Sequence, residues 1–85
     1  MPYAIEIRPP AKRGLDGLPA DERERAIRAI RKLAETPRPR GSEKIVGGNG
    51  ERRIRVGVYR IIYDVNDATR TVTLLDVAHR REVYR

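Results

Sequence analysis

With 85 residues, no cysteine and a single histidine, the chain has room for one thin-cored domain and offers neither a disulfide framework nor a thiolate metal site. It carries 19 Lys and Arg against 12 Asp and Glu, a net charge of +7, which points to a polyanionic or acidic partner. No apolar run approaches bilayer length and the start, MPYAIEIRPP, has no signal pattern, so a soluble, cytoplasmic protein with no membrane partner is expected.

In chain order, Tyr3, Ile5 and Ile7 alternate with Ala4, Glu6 and Arg8, which predicts a first strand over Pro2 to Arg8 with one apolar face. Pro9-Pro10 ends it. Ala11 to Gly17 holds about two turns of helix with Ala11 and Leu15 inward, weakened by Gly14 and Gly17. Pro19 to Glu35 carries the clearest helical signal: Ala26, Ile27, Ile30, Leu33 and Ala34 share one stripe, Pro19 suits the first helical position, and Asp21, Glu22 and Glu24 place negative charge at the positive end of the dipole. Pro37 and Pro39 stop this helix, and Thr36 to Ser42 is a short basic linker. A brief strand is expected at Lys44 to Gly47. Gly47-Gly48-Asn49-Gly50 lacks the Gly-Lys-Ser/Thr of a phosphate loop and reads as a turn.

Arg52 to Asp64 reads as a β-hairpin. Gly57-Val58 supplies a two-residue turn, with glycine at the first position as a type II′ turn requires. Counting outward pairs Val56 with Tyr59, Arg55 with Arg60, Ile54 with Ile61 and Arg53 with Ile62. Arg53, Arg55 and Arg60 then share one face, while Ile54, Val56, Tyr59, Ile61 and Tyr63 share the other. Like charges directly across a strand pair destabilise by up to about 1 kcal/mol, so a chain that tolerates Arg55 opposite Arg60 implies an anion held there; the plainer reading is a solvated strand in an arginine-rich protein. After the turn at Asn66-Asp67-Ala68-Thr69, a last strand runs over Thr71 to Ala78 through Val72, Leu74, Leu75 and Val77. The expected order, β-α-α-β-β-β-β over residues 1–85, is an α+β sandwich: two N-terminal helices on one face of a small, mainly antiparallel sheet, with the arginine face left open.

RIRVGVYRIIYDV followed by VAHRREVY near the C-terminus, behind a Leu-Pro helix start and a Pro-containing linker, resembles the RelE/ParE superfamily of type II toxins, and its RelE branch in particular. The resemblance covers essentially the whole chain. It implies the RelE-like microbial RNase fold, ribosome-dependent cleavage of mRNA in the ribosomal A site, and neutralisation by a cognate antitoxin, with operator DNA bound only through the antitoxin complex. It also implies residue roles. Arg60 matches the arginine that contacts the scissile phosphate, Arg80 the arginine linked to charge stabilisation or leaving-group protonation, and Tyr84 the C-terminal tyrosine that stacks or assists proton transfer. Arg53 and Arg55 fall where the family places basic residues, often lysines, and arginine's high pKa argues against a general base at either position.

Attack by the RNA's own 2′-hydroxyl needs a base, cations for the phosphorane and an acid for the leaving oxygen. Arginine forks supply the middle requirement. His79 alone has an ordinary pKa near neutrality and is a candidate base or acid, the plainer reading being a strand-end residue that orients its neighbours. Tyr84 needs the arginines to lower its pKa before it can act as a base. Arg81 and Lys44 complete the phosphate-binding candidates. Arg81 otherwise reads as a solvated tail residue, and Arg38, Arg40 and Lys44 either track rRNA backbone or keep the linker soluble. No metal or cofactor is implied. The alternatives are a ParE-like gyrase inhibitor and a catalytically silent antitoxin-binding module.

Overall fold

The structure is a computed structural model and describes residues 2–79. In order, its elements are β1 (Ala4–Ile7), α1 (Pro9–Asp16), α2 (Ala20–Glu35), β2 (Glu43–Lys44), β3 (Arg52–Val56), β4 (Tyr59–Asn66) and β5 (Thr71–His79). The strands form one mixed sheet in the order β1-β5-β4-β3-β2, with β1 parallel to β5 and every other pair antiparallel. Both helices lie on one face. The brief strand expected at Lys44 to Gly47 starts one residue earlier and ends three residues sooner, at Glu43–Lys44, and Pro19 takes the N-cap rather than the first helical position.

The helices form where their apolar residues can meet the sheet. Ala11 and Leu15 of α1, and Ala26, Ile30 and Leu33 of α2, join Leu18, Ile54, Ile61, Tyr63, Val72, Leu74 and Val77 in one core. Ile27 is half-buried and borders an outer groove instead. α1 begins at Pro9-Pro10, whose missing N–H groups cost nothing in a first turn. It crosses β5 closely at Gly14, where a methyl group would sit 2.1 Å from the Val77 carbonyl oxygen. Tyr63 is fully buried, and its hydroxyl donates to the Pro37 carbonyl at 2.7 Å. The core thereby fixes the linker that delivers β2, and a buried phenol keeps a hydrogen-bond partner.

A bulge in β5 decides which residues face which way. Ile62 pairs with Asp76 but Tyr63 pairs with Leu74, so Leu75 is the extra residue. Val72, Leu74 and Val77 are spaced two and then three apart, which a regular strand would send to opposite faces. The extra residue turns all three inward. Beyond the bulge the parity of β5 is inverted, which places Ala78 opposite Arg60 and His79 opposite Tyr59.

A surface cluster closes the far end of the sheet. Arg38 donates two hydrogen bonds to the Asp67 carboxylate, at 3.0 and 3.2 Å, Tyr3 donates a third at 2.7 Å, and the Arg70 guanidinium lies over the Tyr3 ring. The donations from Arg38 first, and from Tyr3 next, hold the Asp67 carboxyl below its usual range. Because the folded value lies below the unfolded one, this tie stabilises the fold fully above about pH 4 and is lost as the pH falls through the depressed value. Asp67→Asn should therefore flatten the acid limb of a melting-temperature profile taken from pH 6 to pH 2.5. An acid limb as steep as the wild type's would show that other carboxylates set it.

Candidate nucleic-acid interface

The hairpin forms with the register its sequence predicts: Arg55 pairs with Arg60, Ile54 with Ile61, Val56 with Tyr59 and Arg53 with Ile62. Gly57 has φ +62°, the left-handed value a type II′ turn asks of its first central residue. Alternation then sends Arg53, Arg55 and Arg60 to the face opposite the helices. They are not equivalent there. Arg55 is exposed and Arg53 half-buried, whereas Arg60, on the central strand, is 1% exposed. An open arginine face was expected, and the face is closed over its middle arginine. A small pit of about 60 Å³ lined by Arg55, Gly57, Val58, Tyr59 and Arg60 is cut beside it.

Sequence reading gave Glu43 no role. It pairs with Arg53 across β2 and β3, and Arg53 donates to its carboxylate at 2.8 Å. That hydrogen bond, with weaker attraction from Arg55 and Arg60, holds the Glu43 carboxyl below its usual range. Glu43 is therefore ionised at neutral pH and cancels part of the positive field. Removing one negative charge beside bound phosphates is worth about one contact, roughly fivefold in affinity for single-stranded RNA near 0.1 M salt. Glu43→Gln should tighten RNA binding by about that factor in a fluorescence-anisotropy titration; weaker binding would mean that Glu43 instead holds Arg53 in its binding pose.

The face has two ends of opposite sign. Arg55, Arg60 and Ala78 form one cross-strand row, and Glu43, Arg53, Ile62 and Asp76 the next. Past the bulge lies a row of Asp64, Thr73 and Glu6. The cationic end adjoins the β3–β4 turn, and the acidic end adjoins β1.

Other candidate residues go elsewhere. His79 does not join the arginines: the bulge turns it to the helix side, where its ring meets Tyr59 edge-on at 5.6 Å and 83° and it lines a cleft with Arg13, Gly14, Gly17 and Leu18. Lys44 pairs with Arg52, so it also leaves the face that carries Arg53. Arg38 is engaged by Asp67. Arg80, Arg81 and Tyr84 lie outside the described residues. No described helix is long and apolar enough to cross a membrane.

The arrangement can grip a phosphodiester: three guanidinium groups on adjoining strands, one buried, beside a pit of phosphate size. Comparison with known proteins agrees in fold and family. A family model described as the ParE toxin of the type II toxin-antitoxin system, parDE, matches residues 5–84. Toxin RelG of Mycobacterium tuberculosis is 32% identical over 89 residues, spanning 100% of this chain and 99% of that protein. Among solved structures, RelE in the archaeal RelE-RelB complex from Pyrococcus horikoshii OT3 is similar at TM-score 0.82 and 28% identity, covering 94% of this chain and 97% of that one. The isolated RelE toxin of E. coli is similar at TM-score 0.80 and 26% identity, covering 96% and 90%. On the matched length, the shared fold and the hairpin motif together, the chain belongs to the RelE/ParE superfamily of type II toxin–antitoxin toxins, in its RelE branch.

Proposed function

We propose that the chain is a ribosome-dependent endoribonuclease that cuts mRNA in the ribosomal A site and so stops translation. The observation that carries this reading is Arg55 set directly across from the buried Arg60, with Arg53 two residues along and a phosphate-sized pit between the turn and Arg60. Like charges so placed repel one another, and a phosphate bound between them would relieve that repulsion.

In this reading the 2′-hydroxyl oxygen attacks the adjacent phosphorus and the bond to the 5′-oxygen breaks. The upstream fragment ends in a 2′,3′-cyclic phosphate and the downstream fragment begins with a 5′-hydroxyl. Arg60 and Arg55 hold the non-bridging oxygens, where charge grows in the phosphorane, and Arg53 steadies the neighbouring phosphate. A buried guanidinium is held in place before the reaction and needs no reorganisation when that charge appears. Of the groups considered for proton transfer, His79 faces the wrong side of the sheet. Arg80 and Tyr84 keep the assignments their resemblance implies, and the ribosome supplies what the chain lacks.

The toxin acts in the cytoplasm and is held by a cognate antitoxin, and operator DNA is reached through that complex. The solved P. horikoshii relative is a RelE-RelB complex. In this chain a groove of about 450 Å³ has an apolar floor of Ala29, Leu33, Pro39 and Ile54 and a rim of Lys32, Arg40 and Arg55 against the single carboxylate of Glu43. Such a surface suits an acidic, amphipathic segment that orders on binding.

Adding purified protein to a translation reaction should truncate the message, and omitting ribosomes should protect it. Message left intact in the complete reaction would overturn the reading. The description of the matching family as ParE toxins favours one alternative, inhibition of DNA gyrase. A supercoiling assay without ribosomes separates the two, because a nuclease has no effect there.

A further inference from the structure

Arg25, Arg28 and Lys32 occupy one stripe of α2 and, with Arg55, line a groove of about 520 Å³ against the β3–β4 turn; the remaining lining is Ala29, Val56 and Gly57. No carboxylate of the described residues lines it. Asp21 and Glu24 lie four residues before Arg25 and Arg28, a spacing at which helix ion pairs commonly close. Neither pair closes: the salt bridges among the described residues are Lys12–Asp16, Arg38–Asp67 and Arg53–Glu43, and none of the four groove cations holds a side-chain partner there. Gly57 sharpens the site. The Arg25 guanidinium nitrogens lie 3.7 and 3.9 Å from where a Cβ would be, and the φ of +62° disfavours any side chain.

This groove is continuous with the candidate cleavage face, because Arg55 lines both it and the pit beside Arg60. The opposite way out of the pit passes Arg53, which is paired with Glu43 in the row of Asp76, and then meets Asp64 and Glu6, which repel phosphate. We infer that RNA held at Arg60 leaves over the β3–β4 turn, and that Arg25, Arg28 and Lys32 bind the phosphate backbone of a nucleotide run flanking the cut. From Arg25 to Lys32 is about 10 Å of helix, room for two or more phosphates of a single strand. RNA fits better than an acidic protein segment, which needs the apolar floor found in the neighbouring groove and not in this one. The inference rests on the nuclease reading and names a second contact for the same substrate class.

The test is the paired variant R28Q/K32Q, both positions being exposed on the helix surface, titrated by anisotropy with a fully 2′-O-methylated ten-nucleotide RNA that cannot be cut. Each phosphate contact contributes about 0.7 to the slope of log affinity against log salt. The pair should lower that slope by about 1.4 and weaken binding roughly 25-fold at 0.1 M salt. With a dinucleotide the difference from wild type should vanish, since so short a strand does not leave the pit. R13Q/R31Q, an equal loss of charge elsewhere, should change binding far less. An unchanged slope for R28Q/K32Q, an equal effect of R13Q/R31Q, or a loss confined to a polyglutamate peptide would each overturn the inference. Ribosome pelleting adds a second reading: loss with the ten-mer supports the message flank, and loss only with ribosomes assigns the stripe to ribosomal RNA and overturns the inference. Wild-type protein that cuts nothing in a translation reaction would sink the nuclease reading and leave the groove result standing; cutting with unchanged R28Q/K32Q binding would sink the groove alone.

Discussion

Gly14→Ala is expected to cost more stability than any other one-methyl addition to the helices. Alanine normally improves a helix interior by about 1 kcal/mol relative to glycine, so propensity alone argues for a gain. The geometry reverses the sign. The new methyl would lie 2.1 Å from the Val77 carbonyl oxygen and 2.9 Å from the Val77 Cβ, and Val77 is backbone-paired to Ile61 and 4% exposed in the core. Neither atom belongs to a flexible side chain that can swing aside, so α1 must lift off β5 and open the core around Ala11 and Leu15. Overpacking of this kind costs about 1–3 kcal/mol or more, a melting-temperature loss of roughly 5–20 °C for a domain of this size. Gly17→Ala is the control. Its methyl would meet the Arg13 carbonyl oxygen at 3.4 Å, and a change within about 0.5 kcal/mol is expected. Equal melting temperatures for Gly14→Ala and Gly17→Ala would mean that α1 does not depend on its contact with β5.

Arg60→Ala should lower the cutting rate by about 10²–10³-fold, the loss that follows removal of one preorganised donor to a developing oxyanion. Arg60→Lys should fall nearly as far, because an ammonium keeps the charge but not the two-pronged contact. A variant at a buried position changes packing as well, so both proteins are to be melted beside the wild type. Arg55→Ala guards against misreading a folding defect: Arg55 is exposed and its loss leaves the core intact, yet cutting should drop by about tenfold or more. Wild-type rates for Arg55→Ala and Arg60→Lys together would remove the arginine pair from the chemistry.

The hairpin was fully legible in the sequence. A two-residue turn leaves one register, and the alternation of Arg53, Ile54, Arg55 and Val56 admits only one choice of buried face. The helices were legible too, since their apolar stripes have a period that a strand cannot use. The placement of His79 was not, because it depends on one extra residue in β5. The signal was present: Leu74-Leu75 breaks the alternation before Asp76 and Val77, and only a bulge lets Val72, Leu74 and Val77 share a face. Glu43 was missed because a two-residue strand carries no periodicity. The cations of α2 were given no role, since a helix pattern does not reveal which neighbour its polar side meets. Arg60 shows a further limit, for alternation gives a side chain's direction and not its burial.

The most direct measurement is to map both ends of message recovered from a translation reaction containing the purified toxin. The proposed grip of Arg60 and Arg55 on the scissile phosphate calls for cuts within translated codons, 2′,3′-cyclic phosphate on the upstream ends and 5′-hydroxyl on the downstream ends, all lost with Arg60→Ala. Uncut message, ends bearing other groups, or the same ends from the Arg60 variant would contradict it.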